Sequence, residues 1–502
     1  MQESYSKKAV RNVVYNFFNW ISQNLLGLVF WIILGKLLLP QELGVFSAIF
    51  SFAMFLTMFA LFGLPSTVMK IISEFVGKKE YEKIKALNSY VIKIIFLNAG
   101  IISFLILVLG DFISEIVNLT YSQLILSILI FITICFLYIS GAILFGLGKI
   151  KEFVFGNVIY SLAKLVISIL FIFIGLSYLG IAGAIAISAL IAVAYRLRFI
   201  KFCKGFVEKE KIWNFAFSSF IGSIAGAIYN QGGILITKAL SSAATTGIFT
   251  LAFTISLPLR TIPISLASAI FPLESEAWSK GKKQSVRNLI SRVLKYSYML
   301  CIPLLLIFLV FAKEIILFVS SIEYISGIEA IRLLVIGFII TGIGGIYSGS
   351  LYFIGKPNLS RNLSILIGVS LILFGIPLTM YYSIIGISLA YVLSGIIFFI
   401  SSAFLTRKYI GICFEKRYLF ISLFSATLAL PILYIFRIYQ PSIMGIAFAS
   451  VLFSLAYFFL LLRLGFFDKK DIELLKIIGK RFPKNLKKKL KYIAMILEKY
   501  AK

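Results

Sequence analysis

"LGKLLLPQELGVFSAIFSFAMFLTMFALFGLPSTVMKIISE", residues 34–74, decides the fold of this chain. Between Gly44 and Met69 it carries no charged residue. A helix rises about 1.5 Å per residue, so this run is long enough to cross the ~30 Å hydrocarbon core of a bilayer. Helical geometry is also what the bilayer demands, because it satisfies every backbone polar group within one segment. Charges stand only at the flanks, Lys36 and Glu42 before the run and Lys70 and Glu74 after it.

Stretches of the same kind recur at roughly 13–39, 44–69, 87–110, 122–147, 153–175, 180–200, 213–238, 246–272, 289–311, 328–354, 359–380, 384–406, 417–437 and 442–464. The whole chain of 502 residues is 60% hydrophobic and only 14% charged, with a mean hydropathy of +1.02. Soluble domains carry about 25% charged residues. The expected fold is therefore all-α, a polytopic membrane protein of about fourteen transmembrane helices. The first apolar segment runs on as a full span, so no removable signal peptide is expected. There is no His, and Cys135, Cys203, Cys301 and Cys413 are scattered without a CxxC pair. Zinc sites and His-based acid–base chemistry are excluded, and no catalytic residue, metal or cofactor is expected. Outer loops of about 4–17 residues leave no room for a catalytic domain, which counts against a membrane enzyme.

Charge gives the orientation. Lys and Arg number 49 against 20 Asp and Glu, a net +29. With the N-terminus in the cytoplasm, 41 of the 49 fall in cytoplasmic segments, and the outer loops hold only Lys313 and Arg437. This alternation follows the positive-inside rule and explains the basic balance without nucleic acid. It places a multi-pass protein in the cytoplasmic membrane with both termini inside.

The sequence also repeats itself. "ILGKLLLPQELGVFSAIFSF" (33–52) is answered by "LITKALSSAATTGIFTLAFT" (235–254). Gly77-Lys78-Lys79 is answered by Gly281-Lys282-Lys283, "FGLGKIKEF" (145–153) by "YFIGKPNLS" (352–360), and "YLGIAGAIA" (178–186) by "YSIIGISLA" (382–390). The offset stays near 202–207 residues. Six spans separate the copies, an even number, so the two share one orientation and a site is expected where they face each other. The expected organisation is two parallel six-helix repeats, lobes 1–212 and 213–410, then two additional helices at 411–465 and a basic amphipathic tail at 466–502.

The stretch at 34–74 resembles the opening of the polysaccharide transporter proteins of the multidrug/oligosaccharidyl-lipid/polysaccharide (MOP) exporter superfamily. It shares with them a span ending in a basic residue, a Leu-Pro-x-Glu-x-Gly turn, an apolar span and a Gly-Leu-Pro/Ser step. The "GLGK" turn at 146–149 and the Pro258 and Pro263 punctuation of the eighth span also fit. The resemblance implies a two-lobed transporter that flips a lipid-linked oligosaccharide, carried on a polyprenyl or dolichyl (pyro)phosphate, to the outer leaflet by alternating access. The alternatives are an exporter of another anionic or amphiphilic small molecule and a cation-coupled drug antiporter. A lipid-linked sugar is then the substrate, membrane lipids are partners, glycan-assembly enzymes are candidate partners, and a monomer is expected.

Six basic residues lie within spans: Lys36, Lys93, Lys164, Lys238, Arg260 and Arg332. A charge at mid-membrane costs about 2.5–3.5 kcal/mol on insertion scales, so such residues face protein or a wet cavity, or snorkel. Lys93 is near a span end and snorkels. Arg260, Lys238, Lys36, Arg332 and Lys164 are the candidates for an anionic headgroup, because none of the acidic residues falls in the middle of a span to pair with them. That same gap counts against cation coupling. Asn19, Gln23 and Asn24 in the first span and Asn230 and Gln231 in the seventh are candidates for sugar hydroxyls; glycines at 222, 226, 232 and 233 suit bending or close helix approach. The tail alternates apolar and basic residues at helical spacing, as in a helix lying on an anionic leaflet.

Overall fold

The computed structural model describes residues 15, 23, 25–411, 415–439, 442–468 and 471. Asn19, Asn24 and nearly all of the tail lie outside the described residues. Helix α1 (Leu25–Leu37) leads into α2 (Pro40–Leu61), α3 (Leu64–Lys78), α4 (Tyr81–Val108), the short α5 (Gly110–Val117), α6 (Tyr121–Gly146), α7 (Ile150–Phe173) and α8 (Ser177–Leu197). After the segment 198–208 come α9 (Lys209–Leu240), α10 (Ala243–Ser268), α11 (Phe271–Ser279), α12 (Lys283–Val310) and the short α13 (Ala312–Val319). A 3-10 turn (Ile322–Gly327), α14 (Ile328–Phe353), α15 (Pro357–Ile410), α16 (Lys416–Tyr439) and α17 (Ile443–Arg463) complete the series. No strand occurs among the described residues.

Twelve of these helical stretches are long and apolar enough to cross a membrane, by length and composition among the described residues. One is α15, whose 54 residues are broken at Ser383 (φ 49°, ψ −124°) into two spans. Together with the shorter apolar α1, this matches the fourteen expected spans. The protein is an all-α, multi-pass membrane protein.

The repeat survives in the backbone. The order of a long helix, a short break, a second helix, a long helix and a short helix in α2–α5 recurs in α10–α13. Pro65 and Pro272 are both the second residue after the break, where a missing N–H costs nothing. Left-handed turn residues pair off as Lys79 and Gly281, Gly148 and Gly355, and Ser177 and Ser383. The Gly-Lys-Lys match thereby shifts by two residues: Lys79, not Gly77, is the counterpart of Gly281. Helix α3 has 15 residues and α11 only 9, so Gly77 is absorbed into the helix.

Gly44 and Gly247 are each the fifth residue of their helix, and they sit in one reciprocal contact. A Cβ on Gly44 would lie 1.8 Å from the Ala243 carbonyl oxygen; one on Gly247 would lie 1.9 Å from that of Pro40. Pro40 and Ala243 are the first residues of the same two helices, so the contact has the two-fold form of an isologous interface. Close by, the Tyr324 hydroxyl donates to the Leu38 carbonyl at 3.0 Å.

The chain forms two compact units. The first comprises the described residues within Met1–Ile255, Val319–Leu334 and Arg361–Ile397, and the second those within Ser256–Phe318, Val335–Ser360 and Phe398–Lys502. In the first, α2 and α6 are central, 61% and 67% buried across their apolar windows, whereas α4 and α7 are only 22% buried. Helices α4 and α7 turn Phe96, Phe104 and Phe173 outward, as lipid-facing helices do. Helix α9 packs along α2 and α3. In the second unit, α16 and α17 pack together and against α12. Buried Lys295 on α12 pairs with Asp471 and lies 3.5 Å from Asp468, which pins the chain leaving α17 to the helix. The rings of Tyr418 and Phe466 lie 4.5 and 5.2 Å from its ammonium.

Replacing Gly44 or Gly247 by Ala is expected to lower the melting temperature of the purified protein by several degrees. Overpacking against rigid backbone costs about 1–3 kcal/mol. Gly77, with nothing within 4 Å of a built Cβ, is the control. Equal melting temperatures for all three Ala variants would remove the crossing from the list of structural constraints.

Candidate functional site

Within the first unit, Phe62 (φ 44°) and Gly63 (φ 72°) both take left-handed backbone and break the α2–α3 line. A Cβ on Gly63 would lie 2.3 Å from the Ala216 carbonyl of α9, so glycine is required there twice over. The break opens a cavity of about 500 Å³, walled mainly by apolar side chains such as Met58, Met69 and Phe153. Three hydroxyl-bearing residues line it: Ser66, Tyr138 and Ser223. Ser66 is held by the Gly63 carbonyl at 3.0 Å, and Ser223 by that of Ser219 at 2.9 Å.

Behind this wall lies a charge that is not among the sequence candidates. Arg196, near the end of α8, is 1% exposed. Its Nη1 donates to the Leu137 carbonyl at 2.6 Å, and its Nη2 donates to Asn157 Oδ1. Gly141 and Gly156 make room for it: Cβ atoms there would lie 3.1 Å from Nη1 and 2.4 Å from Nε. Gly141 and Phe153 also line the cavity, so the guanidinium is one residue layer from its interior. In a low-dielectric surround its field reaches that interior with little screening.

The five basic candidates are not alike. Lys164 is half-buried, its ammonium 4.3 Å from the Phe30 ring centre and 5.5 Å from that of Tyr160. Lys238 is 6% exposed in the last turn of α9, and Lys36 is exposed at the end of α1. Arg332 has a carboxylate partner, Glu329 at 2.5 Å one turn earlier. That acid is exposed and stands at the start of the helix, not in its middle. These four belong to the first unit. Arg260 is half-buried in the second, between Pro258 and Pro263 of α10. A Cβ on Gly342 of α14 would lie 2.7 Å from the Arg260 carbonyl, so the backbone there is closely covered.

Among the sugar candidates, Asn230 and Gln231 are half-buried and Gln23 is exposed. Of the α9 glycines, only Gly233 is forced by contact. The Tyr391 hydroxyl, 2.5 Å from a Cβ built there, donates to the Tyr229 carbonyl at 2.8 Å.

A second buried charge is likewise not among the sequence candidates. Glu274, just beyond the eighth apolar run, is fully buried, at 0% exposure. Phe271, Glu274 and Trp278 share one face of α11 at helical spacing, and that periodicity was the available signal. The absence of buried acids therefore no longer counts against cation coupling.

A family described as "Polysaccharide biosynthesis protein" matches residues 9–278, more than half of the chain. An uncharacterized membrane protein of Methanocaldococcus jannaschii is 23% identical over 94% of this chain and 98% of its own length. A probable low-salt glycan biosynthesis flippase of Haloferax volcanii is 23% identical, over 42% of this chain and 44% of its own length. Among solved structures, the lipid II flippase MurJ in an inward closed conformation superposes with a TM-score of 0.72 at 15% identity, covering 89% of this chain and 98% of that one. An inward-facing MATE family multidrug resistance transporter of the MOP superfamily gives 0.69 at 16% identity, covering 80% and 98%.

Arg196→Leu is expected to destabilise the purified protein by about 1–3 kcal/mol, as it strips acceptors of a buried donor. Arg196→Lys, with one point charge in place of a fork, should recover part of that. Thermal unfolding in detergent measures both; an unshifted Leu variant would mean that Arg196 does not tie α6, α7 and α8 together.

Proposed function

The chain belongs to the polysaccharide biosynthesis protein family, and on that premise we propose that it flips a lipid-linked oligosaccharide from the cytoplasmic to the outer leaflet. Its fold is that of the MOP transporters, and it is a transporter rather than an enzyme. The observation that carries the finer reading is the cavity at the α2–α3 break. Apolar walls, three hydroxyls and a guanidinium one layer behind suit an amphiphile with an anionic, hydroxyl-rich head. Phosphate or pyrophosphate matches that chemistry, with the guanidinium acting through its field and not by contact.

In this reading Arg260, Lys238, Lys36, Arg332 and Lys164 contact the headgroup at stages of the transport cycle. Asn230 and Gln231 meet sugar hydroxyls. The lobes 1–212 and 213–410 alternate about the Gly44–Gly247 crossing, and both termini lie in the cytoplasm. The two additional helices, docked on α12, shelter the polyprenyl tail.

Cells lacking the protein are expected to accumulate a sugar-loaded polyprenyl phosphate or pyrophosphate, detected by mass spectrometry of extracted lipids. An unchanged lipid profile would overturn the reading. In complemented cells, Arg260→Ala should insert at normal levels yet restore transport poorly, with Arg260→Lys intermediate. Ala142→Trp, which places an indole in the cavity, should block transport at normal protein levels. Normal transport by either the Arg260→Ala or the Ala142→Trp variant would remove that residue from the substrate path.

A further inference from the structure

Glu274 sits where a carboxylate has no structural reason to be. It lies on α11 with 0% exposure. The Ser350 hydroxyl of α14 donates to Oε1 at 3.2 Å, and Oε2 has no hydrogen-bond partner. Helix α11 comes this close because Gly349 leaves room for Phe271: a Cβ on Gly349 would lie 2.3 Å from that ring. Phe271 then stacks on Phe353, centres 4.6 Å apart, and seals the site.

Among the described residues no Lys or Arg pairs with Glu274. On α11 itself, Glu276 pairs with Lys280. On α12, Arg287 donates to the Ile410 carbonyl at 2.6 Å and Lys295 is closed by Asp471. The remaining ionisable groups on α12 and α14 include Arg292, Tyr298, Tyr347 and Tyr352, and none of them is hydrogen-bonded to the carboxyl. A buried ionised carboxylate without a countercharge is far more costly than a neutral acid with one unsatisfied oxygen.

The repeat supplies the control. The counterpart of Glu274 is Thr67, counting from Pro65 and Pro272, and the counterpart of Ser350 is Ile143. Thr67 is also buried, and its hydroxyl donates to the Gly63 carbonyl at 3.1 Å. The first repeat thus packs the same pair of helices without an acid. The fold does not require Glu274; something else does.

We propose that Glu274 is a proton-binding site, loaded in the conformation described here and unloaded when α11 moves away from α14. Binding is Glu274–COO⁻ plus H⁺ giving Glu274–COOH, a change of one positive charge with no electron transfer. The mobile element is the segment around the Ala269–Ile270 break. Ahead of it Pro258 and Pro263 each remove a donor from the α10 ladder. The proton site stands without the flippase reading; its coupling to lipid export rests on it.

Infrared difference spectroscopy of the purified full-length protein, taken between about pH 5 and about pH 9 around the carboxyl range, tests the site. The expected result is a protonated-carboxyl C=O band at neutral pH that is lost in Glu274→Gln and kept in Glu276→Gln. Ser350→Ala should shift that band without abolishing it. Absence of the band from the wild type, or its persistence in Glu274→Gln, overturns the proposal. Coupling is read in cells lacking the protein and complemented with each variant. Glu274→Gln at wild-type protein levels should still accumulate the sugar-loaded lipid, and Glu274→Asp, which keeps an acid, should accumulate less. Full rescue by Glu274→Gln overturns the coupling. If the wild-type gene itself has no effect on these lipids, the flippase reading fails, and the infrared band still decides the proton site.

Discussion

Two helices approach to backbone contact only where neither presents a side chain, and Gly44 and Gly247 are placed to meet that condition. Each stands over the first carbonyl of the other's helix, Ala243 and Pro40. In a bilayer no hydrophobic force drives helices together, because lipid is as apolar as they are. Close packing must supply the attraction, and small residues permit it. The rest of the first unit follows from this crossing. Helix α2 becomes central, α9 runs along it, and α4 and α7 are left to face lipid.

The two repeats share a backbone plan and differ in their polar content. The first buries Arg196 among α6, α7 and α8, held by a carbonyl and an amide. The corresponding position in the second repeat, 402 by the pairing of Ser177 with Ser383, is a serine. The second buries Glu274 against Ser350, where the first has Thr67 and Ile143. One repeat holds a fixed positive charge beside a cavity, and the other holds an acid with an unpartnered oxygen. The proposed anion site and the proposed proton site therefore fall in different repeats.

The additional helices have their own anchor. Lys295 is buried, yet it is enclosed by Asp471, Asp468 and aromatic rings, so its charge is matched at the point where the chain leaves α17. Burial tends to raise the Asp468 carboxyl, but the Lys295 ammonium and the hydrogen bond from Asp471 outweigh it and hold it below its ordinary range. The contribution of this pair to stability is therefore present above the ordinary carboxylate range and is lost as pH falls through the depressed value. At neutral pH the clamp is closed.

Read alone, the sequence determined whatever depends on periodicity and composition. Runs of apolar residues fixed the membrane class and the number of spans, and ordered matches at 33–52 and 235–254 revealed the repeat. The family followed from the Leu-Pro-x-Glu-x-Gly turn and its surroundings. What it left undecided was which charges are buried and beside what. In the sequence Arg196 and Lys295 stand only as members of the cytoplasmic basic count, and Glu274 only as an acid outside the middle of a span. Each is set by the helix across from it: Gly141 and Gly156 admit the guanidinium, Gly349 admits Phe271 and so brings Glu274 to Ser350, and Asp471 returns to Lys295 from 176 residues away. Periodicity tells which face of a helix a side chain occupies. Only tertiary packing decides what that face meets, because the partner lies on another helix and the small residue that makes room for it carries no signal of its own.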